Sequence, residues 1–267
     1  MKLEFFQVDA FTSEPLRGNP AAVVPLESWL SDDRMLAIAA ENNLSETAFF
    51  VPHDSGGYHL RWFTPTREVD LCGHATLATA HVLFQELGRA LTEVHFATAS
   101  GNLTVRLKDG VLAMEFPSRP AKEWDDGGKV AAALHARPLR VMKTELNDPD
   151  SDKVVAVFES ESDVADLMPS MSALQEVPGQ GVVATAPGDK VDFVSRYFAP
   201  SAGVPEDPVT GSSHSTLTPY WFEVLGRSSM TARQISARGG DLYVEQQDNR
   251  VLIAGSAVLY LKGHIFI

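Results

Sequence analysis

Two glycine-led segments are the first places where this sequence could bind a substrate. Gly73 precedes His74 and Gly211 precedes Ser212, each at the start of an apolar stretch that predicts a buried helix. The first backbone N–H groups of a helix have no partner within it, and they lie at the positive end of its dipole. Two such helix starts at one cleft would bind an anion, most simply a carboxylate. The plainer alternative is that both glycines only permit tight turns from strand to helix.

Glu46 is a candidate for proton transfer, because a carboxyl group enclosed in a cleft can take up and release a proton. It stands directly ahead of the predicted strand 47–51, so a turn or capping role also fits it. His74 also fits as a hydrogen-bonded residue at a helix start, and Asp207 as an ordinary turn residue before Pro208. Residue type alone leaves these alternatives open.

The residues around the second helix start resemble a hydrolase triad in type but not in spacing. Ser212, Ser213, His214 and Asp207 have the residue types of such a triad. However, His214 shares the first helical turn with both serines, and the sequence has no G-x-S-x-G turn to expose a nucleophile. Hydrolysis by a serine nucleophile is therefore not predicted.

A metal site is not predicted either. The potential ligands are Cys72, His74, His81 and His214. Cys72 and His74 are two residues apart, and His81 is two helical turns beyond His74. This spacing matches neither C-x-x-C nor H-E-x-x-H. We expect no metal ion.

An internal repeat defines the elements that must position these residues. Positions 61–65 and 196–200 both resemble an aromatic strand that ends in proline. The segments 73–88 and 211–226 match in register at two glycines, a phenylalanine and a leucine. A hairpin-like pair of strands follows each segment. Three matches in the same order predict a duplication.

Each copy consists of short strands around one strongly apolar helix. The stretches 77–87 and 217–225 are apolar nearly all round, which is typical of buried helices. More polar helices are predicted over 32–42 and 162–174, on the outside. We predict an α/β (α+β) fold of two pseudo-symmetric domains, each a rolled sheet around a central buried helix.

Length and composition agree with two domains. The chain has 267 residues, which at about 150 residues per domain suggests two. The stretch 119–128 contains proline, glycine and acidic residues and is interpreted as a linker. The predicted bounds are therefore an N-terminal domain over 1–118 and a C-terminal domain over 129–267.

The charge disfavours two classes of partner. Lys plus Arg is 22 and Asp plus Glu is 35, so the net charge is 22 − 35 = −13. Such a surface repels nucleic-acid phosphates and anionic lipid. The apolar stretch 251–261 is well short of the roughly 20 residues of a membrane span. We predict a soluble cytoplasmic protein with neither nucleic acid nor membrane as partner.

Four segments resemble the signature segments of PhzF-like (phenazine-biosynthesis-like) proteins, which belong to the diaminopimelate epimerase superfamily. They are GNPAAV at 18–23, NLSETAF at 43–49, DLCGHAT at 70–76 and EDPVTGS at 206–212. The resemblance implies two similar α/β domains with the active site between them, no metal or organic cofactor, and a homodimer.

The resemblance also assigns roles to residues of these segments. It implies that Glu46 is the general acid/base. Asn19 stands where the superfamily has a substrate-contacting asparagine. The predicted substrate-binding residues are His74, Asp207, Ser212, Gly73, Gly211 and Asn19.

Cys72 distinguishes two mechanisms within the superfamily. Its racemases and epimerases use two cysteine thiols on opposite faces of a carbon atom. Cys72 is the single cysteine here, and Thr210 stands at its position in the second copy. A two-thiol racemase is therefore excluded, and Cys72 is interpreted as a small buried apolar residue. One cysteine also excludes an intramolecular disulfide, which fits a reducing compartment.

The functional prediction is a cofactor-independent isomerase that moves a proton within a small carboxylate-bearing metabolite. The phenazine-pathway member of the family isomerises trans-2,3-dihydro-3-hydroxyanthranilate, and a related activity is expected. The alternative is a catalytically silent protein that binds a small carboxylate in the same cleft.

Overall fold

The computed structural model describes residues 1–54, 56–88 and 92–267. Its strands, in chain order, are β1 (Lys2–Ala10), β2 (Asn19–Pro25), β3 (Glu46–Pro52), β4 (Tyr58–Phe63), β5 (Glu68–Val69), β6 (Glu93–Thr98), β7 (Gly101–Lys108), β8 (Val111–Pro117), β9 (Lys122–Glu123), β10 (Arg140–Lys143), β11 (Lys153–Val157), β12 (Gly181–Pro187), β13 (Phe193–Ala199), β14 (Val204–Asp207), β15 (Ser229–Gln234), β16 (Gly240–Gln247), β17 (Arg250–Gly255) and β18 (Ala257–Phe266). Its helices are α1 (Asp32–Asn42), α2 (Gly73–His81), α3 (Gly127–Leu134), α4 (Glu161–Ala165), α5 (Met171–Leu174) and α6 (Gly211–Leu225). A π-helical turn over Val82–Glu86 continues α2.

The chain divides into two units. The first comprises Met1–Glu115 and Ala254–Ile267, and the second comprises Phe116–Ile253. The stretch 119–128 lies in the second unit, where β9 pairs with β10 and α3 begins at Gly127. The C-terminal segment belongs to the first unit because β18 is the antiparallel partner of β1 along its length.

The sheet of the first unit wraps around α2. Its strands follow one another as β18, β1, β2, β3, β4, β6, β7 and β8, with β2–β3 and β4–β6 parallel and the other pairs antiparallel. Helix α2 contacts β1, β2, β3, β7 and β18, and its residues 73–80 are all buried. The nearly all-apolar sequence of this helix is explained by these contacts on every side.

Helix α1 covers the outer face of the same sheet. Met35 and Ile38 of α1 pack with Phe49 and Val51 of β3, which point away from α2 by strand alternation. The helix begins and ends where the sequence predicts, at 32 and 42.

The second unit repeats this pairing pattern. Its strands follow one another as β9, β10, β11, β12, β13, β15 and β16, with β11–β12 and β13–β15 parallel and the rest antiparallel. Helix α6 packs against the sheet through Trp221, whose indole N–H donates to the Thr185 hydroxyl at 3.0 Å. The Trp221 ring also stacks on Phe193 at 5.5 Å.

The outer helices of the second unit differ from the prediction. A single helix over 162–174 was expected, but α4 ends at Ala165 and α5 begins at Met171. Pro169 lies between them, and a proline disfavours helical geometry at the residue before it. Both helices cover a core that includes Val164, Leu174 and Phe198.

The duplication extends to individual side chains. Arg61 binds both carboxylate oxygens of Glu68 at 2.6 Å and lies over the Phe63 ring at 5.1 Å. Arg196 binds both oxygens of Glu206 at 2.8 and 2.9 Å and lies over the Phe198 ring at 4.9 Å. The prediction of an α/β fold with two similar halves, each a sheet around a buried helix, is confirmed.

None of the helices in the described ranges is long and apolar enough to cross a bilayer.

Candidate active site

Glu46 is placed by two parallel strands. It is the first residue of β3 and pairs in register with Ala21 of β2, which starts two residues earlier at Asn19. Gly18 precedes this start with a φ of +63°, and a Cβ there would lie 2.2 Å from the carbonyl oxygen of Ala10. Only glycine fits this turn. Glu46 and the buried Asn19 are therefore held at the same end of β2 and β3.

The start of α2 brings His74 to Glu46. Nε2 of His74 lies 3.2 Å from Oε2 of Glu46, and Nδ1 lies 3.5 Å from Sγ of Cys72. His74 is 5% exposed and lies in the first turn of the helix, directly after Gly73. Cys72 is the N-cap residue and makes no side-chain capping hydrogen bond. The imidazole is thus held between a thiol and a carboxyl group.

The contact between His74 and Glu46 is close but not aligned as a hydrogen bond. Nε2 of His74 and Oε2 of Glu46 are both buried, and neither has a hydrogen-bond partner among the described residues. Buried polar atoms normally find a partner in the protein, in water or in a ligand. Two such atoms side by side define the candidate site in the first unit.

The charges of this cluster follow from its burial. Burial raises the pKa of the Cys72 thiol to about 11, so the sulfur is protonated at neutral pH. Burial lowers the pKa of His74, but Cys72 and Glu46 raise it by more, and it lies well above the ordinary 6.5. Because a protonated thiol carries no charge, we attribute the raised pKa to Glu46. The Glu46 carboxyl group therefore favours the protonated form of His74.

The same three side chains resemble a metal site in composition only. The ligand atoms of Glu46, Cys72 and His74 lie within 4.8 Å of one another. However, one ring nitrogen of His74 faces the thiol and the other faces the carboxyl group. The two nitrogens of an imidazole point in divergent directions, so Cys72 and Glu46 lie on different sides of the ring in this structure.

The start of α6 carries the candidate residues of the second unit. The Thr210 hydroxyl donates to Oδ2 of Asp207 immediately before the helix. Gln234, fully buried in β15, accepts from the Thr210 N–H at 2.9 Å and donates to the Asp207 carbonyl at 2.6 Å. Gly211 is buried and Ser212 is partly exposed in the first turn. The loop that carries Asp207 is therefore fixed by a side chain from a distant strand.

A serine fixes the equivalent loop in both units. The Ser236 hydroxyl donates to the Pro208 carbonyl at 2.8 Å, and the Ser100 hydroxyl donates to the Asp70 carbonyl at 2.7 Å. Sequence reasoning missed Gln234 and Ser236. For Ser236 the repeat contained a signal, because Ser100 and Ser236 lie between equivalent strands of the two units.

His214 has a structural role. Its Nδ1 donates to the Thr210 carbonyl at 2.8 Å, and its fully buried ring packs on Phe193 at 5.9 Å. Burial lowers the pKa of His214 to about 4, so the ring is neutral. The Ser213 hydroxyl donates to the same Thr210 carbonyl at 2.9 Å. Histidine and serine thus bond to backbone and form no triad.

The chain is similar to known proteins along nearly its whole length. The family model described as phenazine biosynthesis-like protein (PhzC–PhzF) matches residues 8–263. An uncharacterized isomerase of Pseudomonas aeruginosa is 48% identical over 267 residues, which cover 100% of both chains. The crystal structure of a PhzF-family protein from Enterococcus faecalis has a TM-score of 0.94 at 44% identity and also covers 100% of both chains. A hydroxyproline epimerase from Agrobacterium vitis shares the fold, with a TM-score of 0.66 at 11% identity over 99% of this chain and 92% of that one.

These similarities and the fold define the class of protein. The protein is an isomerase with a diaminopimelate epimerase-like fold. More narrowly, the chain belongs to the phenazine biosynthesis-like (PhzC–PhzF) family.

Proposed function

We propose that this isomerase moves a proton within a small carboxylate-bearing metabolite, with Glu46 as the general acid/base and no cofactor. The observation that carries the proposal is the buried contact between Glu46 and His74, whose pKa is raised. A carboxyl group that can shuttle a proton contributes about 10²- to 10⁴-fold to such a reaction. One carboxyl group returns the proton to the face from which it was taken, so the product is an isomer and not a mirror image.

The other residues bind the substrate. The positive charge of His74 and the free N–H groups that begin at Gly73 attract the substrate carboxylate. Asn19 contributes a buried amide at the end of β2. We assign the binding of the remaining polar groups to the start of α6, through Asp207, Gly211 and Ser212.

The substrate class is that of small cyclic or amino-acid-like acids. The family resemblance points to trans-2,3-dihydro-3-hydroxyanthranilate. The structure of the hydroxyproline epimerase contains bound trans-4-hydroxy-L-proline, which is also a small hydroxylated acid. Both compounds belong in the first set of candidates to be tested.

The test is deuterium uptake from heavy water into a panel of small carboxylic acids. Wild-type protein should exchange at least one acid, and Glu46→Gln should lose about 10²- to 10⁴-fold of that rate. Glu41→Gln is the matched control, because Glu41 is an exposed residue of α1 and should exchange at the wild-type rate. Exchange that survives in Glu46→Gln would exclude Glu46 as the base. Binding without exchange in the wild type would instead indicate a silent carboxylate-binding protein.

We also propose that the protein is a cytoplasmic homodimer. The last strand, β18, exposes the apolar side chains Tyr260, Leu261 and Phe266 at 48%, 42% and 78%. We propose that a second copy covers some of these side chains, because exposed apolar groups are often buried at interfaces. The free buried Cys72 fits a reducing compartment. Sedimentation should give twice the chain mass of 29.0 kDa, and Leu261→Asp should shift the protein towards the monomer.

A further inference from the structure

The second unit contains a buried lysine with no assigned role. Lys153 is the first residue of β11 and is 3% exposed. Its Nζ donates to Oε1 of Gln180 at 2.8 Å and lies 5.9 Å from the centre of the Tyr197 ring. Lysine is almost never fully buried unless it is paired, so this position calls for a charged partner.

In the duplicated fold, Gly181 is the equivalent of Glu46, and Lys153 lies beside Gly181 on the neighbouring strand. In the first unit, Glu46 begins β3 beside the parallel strand β2. In the second unit, Gly181 begins β12 beside the parallel strand β11, and its register partner is Lys153. A Cβ on Gly181 would lie 2.4 Å from the Phe198 carbonyl oxygen, so β12 cannot supply a side chain at this point. The corner that holds a carboxyl group in the first unit holds an amine in the second.

Tyr197 connects this corner to Asp207. Tyr197 of β13 pairs in register with Asp207 of β14, and directly opposite residues of antiparallel strands have their side chains on the same face. Lys153 lies against the Tyr197 ring on that face. The Asp207 carboxylate also accepts from the Thr210 hydroxyl at the start of α6. The amine, the phenol ring and the carboxylate therefore form one group of neighbours in this unit.

The charges around Lys153 are consistent with this arrangement. Burial and the positive charge of Arg119 lower the pKa of Lys153 to about 8, while Asp207 and Asp152 act in the opposite direction. Asp152 already accepts from Thr144 at 2.9 Å and pairs with Lys143 at 3.1 Å. Asp207 is therefore the carboxylate that acts most on the Lys153 amine.

We propose that Lys153 is a positioning residue, whose ammonium group keeps the Asp207 carboxylate ionised and oriented at the start of α6. An ionised Asp207 can only accept hydrogen bonds, so it would bind a hydroxyl or ammonium group of the substrate. The inference rests on the proposed role of Asp207 in substrate binding.

The first test measures the coupling without any substrate. Lysine side chains are labelled with ¹³C at Cε, the Lys153 signal is assigned by its loss in Lys153→Met, and its pKa is measured by NMR titration. In Asp207→Asn the pKa of Lys153 should fall by about one unit or more, because a nearby opposite charge is removed. Asp241→Asn is the control, because Asp241 is exposed and paired with Arg233, and it should leave the pKa unchanged. An unchanged pKa in Asp207→Asn overturns the inference.

The second test uses the exchange reaction. Lys153→Met should raise KM at least tenfold with a smaller change in kcat. The wild-type KM is expected to change near pH 8, where Lys153 loses its proton, and Lys153→Met should remove that change. A purely structural lysine would lower the yield of folded protein without altering the pH profile of the folded fraction. If KM and its pH profile match the wild type in Lys153→Met, the inference is overturned. If the wild type exchanges no acid, the proposed function fails, while the NMR titration still decides the coupling of Lys153 to Asp207.

Discussion

His74 and Glu46 meet at 3.2 Å from two different elements, the first turn of α2 and the first residue of β3. The carboxyl group proposed to carry the proton is thus next to the proposed positive charge of His74, and the two groups are not hydrogen-bonded to each other. A substrate carboxylate bound at the helix start would be close to the same charge. Binding of the anion and proton transfer are therefore linked through one imidazole ring.

Replacing His74 should show how much its charge contributes to anion binding and how much to proton transfer. His74→Gln keeps a hydrogen-bond donor within reach of Glu46 but removes the positive charge. We expect deuterium exchange to fall by about 10²-fold, the effect of losing one preorganised charged donor, and KM to rise. A variant with wild-type kinetics would show that the charge of His74 plays no part.

Replacing Cys72 should have little effect on exchange. The thiol is protonated at neutral pH because burial raises its pKa to about 11, so it is a poor base. Cys72→Ala should keep its exchange rate within about threefold of wild type, since a buried neutral thiol acts mainly by packing. Loss of exchange in a Cys72→Ala protein that is folded by circular dichroism would indicate a thiol mechanism.

His214 should make the protein sensitive to acid. Its pKa is about 4 in the folded state and about 6.5 in the unfolded chain, so the unfolded chain binds more protons between these values. The free energy of unfolding should therefore fall as the pH is lowered from about 6.5 to 4, by up to about 3 kcal/mol. Urea titrations of wild type and His214→Leu across this range test the point. Parallel pH dependences in the two proteins would contradict it.

Gln234 should support both stability and substrate binding. Gln234→Leu leaves the Thr210 N–H and the Asp207 carbonyl without their partner, at a cost of about 2–4 kcal/mol in the free energy of unfolding. The looser loop should also raise KM. Gln234→Glu keeps the acceptor for Thr210 but places a buried carboxyl group against the Asp207 carbonyl oxygen, so it should be at least as destabilising as Gln234→Leu. Urea unfolding and exchange kinetics of both variants measure these effects. Equal stability of the wild type and both variants would show that the Gln234 hydrogen bonds do not hold this loop.

Much of the fold could be predicted because its signals are local or repeated. The stretches after Gly73 and Gly211 are apolar nearly all round, which predicts buried helices, and both helices begin at these glycines. The repeated aromatic strands predicted equivalent elements, and the matching bidentate pairs of Arg61 and Arg196 show that the duplication reaches side-chain level.

The missed features depend on contacts between residues far apart in the sequence. Gln234 and Lys153 lie in strands whose pattern predicts burial but not the loop or strand that each side chain meets. The pairing of β18 with β1 in the first unit also depends on distant contacts, because a strand's own sequence does not specify its partner strand. Pairing between distant strands depends on the topology of the whole unit, and the residue pattern of a single strand does not reveal that topology.

The return of β18 also determines the order in which the protein can fold during synthesis. Strand β1 leaves the ribosome before the second unit, and its partner β18 emerges after that unit. The second unit is encoded wholly between them and can complete its contacts earlier. Until β18 emerges, one edge of β1 has no partner, and an open strand edge is a template for aggregation. The time during which a nascent chain exposes this edge is therefore set by the speed of translation.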